Sequence, residues 1–326
     1  MKKTRDSRHS NTVLAAAFVL CAVGAAWAAP FDDDARLLVG ADQKQSHAAR
    51  ERLARGGTDA VSAMVRAMGG QDHRGKSRLI GTITSMLEEH RGMKVKDEDV
   101  TEIARQIRAE PDPAWRGGWL EILRSVTGSA ATRELEAFAT GDVDVDVRRD
   151  AVLFIRERAP AETMFFKMKT KDTAPLVKLV AYLALAESGD QSGRDFALQV
   201  LEGSNVSYER DAAIDVLGSV GNPKDTPLLE KIASSKSENY QTRLFATRAV
   251  WTINYLQVPT TARLEYLIQS LDDTDYEHRD FASYELGRIS NGQARLLLIK
   301  YMMEPGHKGY DEASKAIYAR HYAGIW

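Results

Sequence analysis

A basic residue recurs along this chain with a period far shorter than a domain. It stands at Arg78, Arg116, Arg148, Lys178, Arg210, Arg243 and Arg279, at spacings of 38, 32, 30, 32, 33 and 36 residues. Three residues after each come Gly81, Trp119, Ala151, Ala181, Ala213, Ala246 and Ala282, and seven after come Ser85, Leu123, Ile155, Leu185, Leu217, Val250 and Leu286. Offsets of three and seven share one face of a helix. Six residues before each base stand Asp72, Glu110, Asp142, Asp172, Ser204, Ser237 and Asp273, five acids and two hydroxyls. An eighth, degenerate unit centres on Lys315, with Gly309 six before it. Such self-similarity means an array of small helical units, none able to bury its apolar face without neighbours.

The stretch from Ser204 to Ala233 displays one unit. An amphipathic helix stops at Gly221, the turn Gly221-Asn222-Pro223 follows, and a second apolar stripe of Leu228, Leu229 and Ile232 begins after Asp225. Helical apolar spacing predicts about seventeen such helices between Ser46 and Tyr322. Only Val143 to Val147 alternates as a strand would, and its place before a helix makes it a loop. Asp112-Pro113 reads as an N-cap followed by proline at the first helical position, and Ala174-Pro175 places its proline likewise. Asp144, Asn239 and Asp275 occupy the same capping frame, four before the base. The expected fold class is all-α.

In this frame the acid lies in the turn between paired helices, and the base in the first turn of the second helix. A lone cation there opposes the helix dipole. The expectation is an acid–base ladder of Asp72, Arg78, Glu110, Arg116, Asp142, Arg148, Asp172, Lys178, Arg210, Arg243, Asp273 and Arg279, each base paired with acids of its own and the adjoining turn. Such rungs set the register of one repeat on the next more than they add stability. With Ser204 in place of an acid, its rung is expected to be weaker.

Paired helices of this length, with an Asp in the intra-repeat turn and an Arg six later, resemble HEAT-like repeats. Leu217-Gly218-Ser219-Val220-Gly221-Asn222-Pro223 is similar to the short bacterial units found also in phycobilin-lyase proteins. The resemblance covers residues 45 to 305, most closely from Asp142 to Ile289. It implies a right-handed α-solenoid of about seven to eight helix pairs, with second helices lining a concave face. It implies binding and scaffolding rather than catalysis, and no particular substrate.

The first 29 residues differ in kind. Lys2, Lys3, Arg5 and Arg8 precede an Ala-rich apolar run, and Ala26-Trp27-Ala28 supplies a signal-peptidase site. Residues 1–29 are thus expected to be a secretory signal, 30–44 a short acidic lead-in, and 45–326 a single solenoid with a degenerate cap after 305. The address is then periplasmic or secreted, and signal cleavage leaves no membrane span. The only cysteine, Cys21, lies in the leader, so the exported chain has no disulfide and no thiolate metal site. Removing the leader's four bases and one acid leaves 40 Lys and Arg against 45 Asp and Glu, a formal charge of −5. That balance disfavours a nucleic-acid or anionic-membrane partner.

No catalytic constellation is legible. Asp142, Asp144 and Asp146 have the spacing of a calcium loop, but Val147 and Leu153 stand where the glycine and bidentate glutamate belong. There is no HExxH, G-x-S-x-G or P-loop. No metal or cofactor is expected. Glu277-His278-Arg279-Asp280 reads as a solvated first turn. The informative asymmetry is aromatic: all 11 tyrosines lie at Tyr182 or later. Tyr182, Tyr208, Tyr240, Trp251, Tyr255, Tyr276 and Tyr284 fall on second helices and form the expected binding stripe. The expected function is an exported, non-enzymatic protein that holds a protein partner, an immunity or inhibitor protein being one form. A cell-envelope lyase or hydrolase and a glycan-binding protein are the alternatives.

Overall fold

The computed structural model describes residues 30–90, 92–289, 292–304 and 306–322; the leader lies outside them. Among the described residues there are no strands and eighteen α-helices. They divide into two compact units, one ending at Arg158 and the other beginning at Ala159.

The first unit holds α1 (Asp32–Val39), α2 (Gln43–Ala54), α3 (Gly57–Ala67), α4 (His73–Glu89), α5 (Asp97–Arg108), α6 (Pro113–Ser125), α7 (Ser129–Gly141) and α8 (Val145–Arg158). The pairs are α3–α4, α5–α6 and α7–α8, and the second helices α4, α6 and α8 stack in sequence. Residues 30–44, expected as a lead-in, hold a helix instead. Asp32, Asp33 and Asp34 occupy the first turn of α1, where the dipole favours acids, and Ala35 and Leu38 are buried. Arg66 and Arg52 then hold Asp32 and Asp34 at 2.6 Å. An acid run that reads as a polar leader is the helix N-terminus.

The second unit repeats the plan with α9 (Thr163–Lys169), α10 (Pro175–Glu187), α11 (Arg194–Gly203), α12 (Ser207–Val220), α13 (Thr226–Ser234), α14 (Tyr240–Gln257), α15 (Arg263–Ser270), α16 (Tyr276–Arg288), α17 (Gly292–Met303) and α18 (Tyr310–Tyr322). Each even-numbered helix packs on its partner before it and on the even-numbered helix of the next repeat. A three-residue 3-10 turn, Pro223–Asp225, leads into α13. The all-α, solenoid-type plan is what the described residues show.

The apolar face three and seven after each base becomes the core. In the second unit, Ala213, Leu217 and Ala246 belong to one buried cluster, and Ala282 and Leu286 to the next. At the base+3 position small residues predominate because neighbouring helices approach closely there. Eight residues after Arg210, Gly218 likewise brings α12 against Ala249 of α14, where an added Cβ would lie 3.0 Å from the Ala249 Cα and Cβ.

The tightest approach is at Gly309. A Cβ there would lie 2.2 Å from the Leu271 carbonyl oxygen, a backbone atom with nowhere to move. Gly309→Ala should therefore destabilise the chain by about 1–3 kcal/mol or more, read as a lower urea midpoint, with Gly70→Ala, which meets no neighbour but sits at φ +77, as the comparison for strain alone.

Candidate functional site

The ladder has a different division of labour from the one expected. Five of the arginines turn one arm back to carbonyls five or six residues before them. Arg116 donates to the Glu110 and Pro111 carbonyls, both at 3.0 Å. Arg148 reaches those of Asp142 and Val143, Arg210 that of Ser204, Arg243 that of Glu238, and Arg279 those of Asp273 and Thr274. These carbonyls lie in the turn after the first helix, where no helical partner exists for them. The cation is thus hydrogen-bonded by carbonyl oxygens of the turn before its helix.

The other arm reaches the next repeat. Arg116 grips Asp142 with two bonds of 3.0 and 2.9 Å, and both side chains are buried. That hydrogen-bonded carboxylate holds the Arg116 guanidinium above its ordinary range. Arg210 takes Glu238 at 2.6 Å, the residue after Ser237, and Arg279 lies 3.4 Å from Glu312. The acid six before the base does not serve its own base, which corrects the expectation. It accepts the backbone N–H two residues on: Asp142 from Asp144, Asp172 from Ala174, Ser204 from Val206, Asp273 from Asp275 and Glu110, more weakly, from Asp112. Serine suffices for that bond, so Ser204 keeps the frame.

Three rungs depart from the pattern. Asp72 caps Gly75, while Arg78 reaches back to the Val39 and Gly40 carbonyls. Asp172 forms a buried pair at 2.8 Å with Lys169 on α9, and Lys178 lies over the Phe196 ring at 5.3 Å. His278 takes Asp273 at 2.9 Å, and Arg243 keeps only its carbonyl. Two further cations were not legible at all. Arg194 forks onto buried Asp225 at 2.9 and 2.5 Å. Arg158 caps the end of α6 through the carbonyls of Leu123, Arg124, Val126 and Gly128, and burial depresses its pKa.

The aromatic stripe separates into two groups. Tyr182 packs on Phe196 and Gly193, Trp251 stacks on His278 at 4.6 Å, and Tyr255 is buried against Tyr266. These three are core, since they lie on the face that meets the neighbouring repeat. Glu277-His278-Arg279-Asp280 is likewise no solvated turn: Arg248 on α14 holds Glu277 and Asp280, each at 2.9 Å. Tyr208, Tyr240, Tyr276 and Tyr284 are open, at 61, 62, 50 and 59 % exposure. Tyr310, which the sequence reading passed over, is 51 % exposed.

Tyr208, Tyr240, Tyr276 and Tyr310 stand in the first turns of α12, α14, α16 and α18, four consecutive second helices. Each helix packs on the next, so four phenols share one edge of the unit. Two are held from the following repeat. Tyr240 donates to Glu277 at 3.3 Å, and Lys315 donates to the Tyr276 hydroxyl at 3.2 Å. Arg279 and Lys315 also lie 5.6 and 5.3 Å from the Tyr276 ring centre. Rings held in place before contact lose less entropy on binding.

Tyr284 belongs to a second cluster, at the C-terminal ends of the second helices. Nine residues after the base stand Glu187, Ser219, Thr252 and Arg288. Arg288 meets Glu187 at 2.6 Å, past the two short side chains between, and lies 5.4 Å from the Tyr284 ring. Burial opposes the Arg288 charge, but Tyr284, Glu187 and Glu285 outweigh it and hold the guanidinium above its ordinary range. Glu285 occupies the position six after the base, where Ala184, Val216 and Ala249 are buried. Burial pushes its carboxyl up, Arg288 opposes this and Glu187 adds to it. Among the described residues no group of three or more His, Cys, Asp or Glu is placed to hold a metal, and no helix is long and apolar enough to cross a membrane.

A family model of HEAT repeats matches residues 165–246. That segment of the chain carries HEAT repeats. Among solved structures, the chain is similar to the complex of CpcE and CpcF of phycocyanin lyase from Nostoc, with 18% identity over 71% of this chain and 96% of that one, at a TM-score of 0.40. It is similar also to YibA of E. coli, with 13% identity over 86% and 98% and a TM-score of 0.42. A third is the importin Kap121p mutant D353K/E396K/D438K, with 11% identity over 93% of this chain and 43% of that one, and a TM-score of 0.42. No curated protein matches the chain in sequence. Identities this low speak to neither substrate nor partner. The HEAT repeats fix the scaffold, and the site rests on the side chains above.

Two measurements test this geometry. Arg116→Gln should cost about 3–5 kcal/mol by stranding buried Asp142, whereas Lys178→Gln, which loses a contact with a ring, should cost about 1 kcal/mol or less in urea unfolding. Glu285 binds its proton more tightly folded than unfolded, so its contribution is present at acid pH and lost as pH rises through the folded pKa. Glu285→Gln should therefore raise Tm at neutral pH, and the gain should vanish below the ordinary glutamate value of about 4.3.

Proposed function

We propose that this is an exported, non-enzymatic HEAT-repeat protein that holds a protein partner along the edge formed by Tyr208, Tyr240, Tyr276 and Tyr310. The observation that carries this reading is the recurrence of a half-open tyrosine in the first turn of four stacked second helices. Apolar rings kept in water lower solubility, and their repetition at one edge calls for a function. A phenol offers a large rigid face and a polar tip, which suits a protein surface. Glu209, Asp275 and Asp311 neighbour these tyrosines in the chain, and Arg279 and Lys315 lie at the Tyr276 ring, so a partner with side chains of both charges fits the edge. The basic, apolar and small-residue order of the leader supports export to the periplasm or beyond.

The enzyme reading finds less support. Its best candidate, the Glu187–Glu285–Arg288 cluster, has one carboxylate tied up by the guanidinium, and among the described residues Glu285 has no hydrogen bond to a nucleophile. Glycan binding would use the same phenols, and the test separates the two.

Replacing Tyr208, Tyr240, Tyr276 and Tyr310 together by serine should leave Tm within about 2 °C, since exposed positions contribute little to folding. Recovery of the protein partner cross-linked to the chain in its native envelope should fall tenfold or more, the scale of losing hot-spot rings. Equal recovery would overturn the reading. Loss of retention on peptidoglycan or polysaccharide, with cross-linked protein unchanged, would assign the edge to glycan.

A further inference from the structure

The first full repeat breaks register in a way the others do not. Three and seven residues after the base, later second helices carry side chains that fill the interface, such as Trp119 with Leu123, or Ala213 with Leu217. On α4 these positions are Gly81 and Ser85. A Cβ added at Gly81 would meet nothing within 4 Å. Over Gly81 lies a cleft of about 500 Å3, lined from α2 by Ser46, His47 and Arg50 and from α4 by Ser77, Arg78 and Gly81.

The cleft is also unbalanced in charge. No Asp or Glu is among its lining residues. Arg116, Arg210 and Arg279 each meet a carboxylate of the following repeat. Among the described residues Arg78 meets none, and its bonds to the Val39 and Gly40 carbonyls are long, 3.5 and 3.3 Å. Arg50 has only the Ser85 hydroxyl, at 3.5 Å. His47 is 3.4 Å from Glu51, which does not line the cleft. Ser77 accepts the Trp119 indole N–H at 2.9 Å, so its own hydroxyl hydrogen is left to donate.

We infer that this cleft binds the oxyanion of a small molecule, a carboxylate or a phosphate, between Arg50 and Arg78. A guanidinium presents parallel N–H donors that match two oxygens of such a group. Two guanidiniums beside one cleft repel each other, and an oxyanion between them replaces that repulsion with two charge-assisted contacts. The Ser77 hydroxyl adds a neutral donor. The open space over Gly81 accommodates the rest of the ligand. This site lies in the first unit, apart from the tyrosine edge, and stands or falls independently of it.

Titration calorimetry of the full chain at low ionic strength, with inorganic phosphate and separately with glutarate, tests the assignment. Saturable binding of at least one probe is expected, and the probe that binds tells phosphate from carboxylate. Arg50→Gln and Arg78→Gln should each weaken it about tenfold or more, the usual loss for a charged hydrogen bond. Gly81→Leu should abolish it at unchanged or higher Tm, because leucine fills open space and favours the helix. If Gly81→Leu melts early, Arg50→Gln alone decides, since that side chain has no bond to the fold beyond Ser85. No binding of either probe overturns the inference, as does binding that survives Arg50→Gln or a stably folded Gly81→Leu.

Discussion

The fork of one arginine organises the repeats that carry it in register. An arginine in the first turn of a second helix faces an unfavourable dipole, and it answers by turning back to the carbonyls of the turn it has just left. Those carbonyls would otherwise lack partners. The same guanidinium has a second pair of N–H groups, and at Arg116, Arg210 and Arg279 they reach a carboxylate of the next. One residue thereby joins first helix to second and repeat to repeat. A lysine has no such fork, and Lys178 accordingly does neither job: it rests on a ring while Lys169 takes the acid.

The repeat, its length and its helix caps were legible because they are local. Offsets of three, seven and minus six are fixed by helix geometry and by an Asx turn, and both operate within one unit. The identity of the ion-pair partner was not legible, because it depends on how one repeat seats on the next. Glu238 and Glu312 each lie off the expected position, and a long side chain makes up the difference. The aromatic stripe failed in the same way. Position on a second helix does not say which face a ring takes, and Trp251 and Tyr255 turn to the interface while Tyr240 and Tyr276 turn to water. The first-turn position marks Tyr208, Tyr240 and Tyr276 and extends to Tyr310, while Tyr284 is open further along its helix.

Departures from the register carry the functional information. Where the pattern asks for a small or apolar side chain and the chain supplies Gly81, Ser85 or Glu285, the scaffold forgoes packing. Consistency elsewhere makes these exceptions visible, and real proteins break their own rules mostly at sites of use. The seven-fold repeat thus serves as an internal reference, against which one repeat's deviation can be read without any relative for comparison.

The Glu187–Arg288 pair has a consequence for how the second unit comes apart. In a helical-repeat array, stability is close to a sum of single-repeat terms and nearest-neighbour couplings, so unfolding can fray from an end. This ion pair spans 101 residues and links α10 to α16 without passing through α12 or α14. It adds a term between non-neighbours. Partial exposure holds that term to about 1 kcal/mol or less, and salt weakens it. At low ionic strength the ends of the segment are therefore coupled and its repeats melt more nearly together; as salt screens the pair, the segment approaches a one-dimensional chain of independent links.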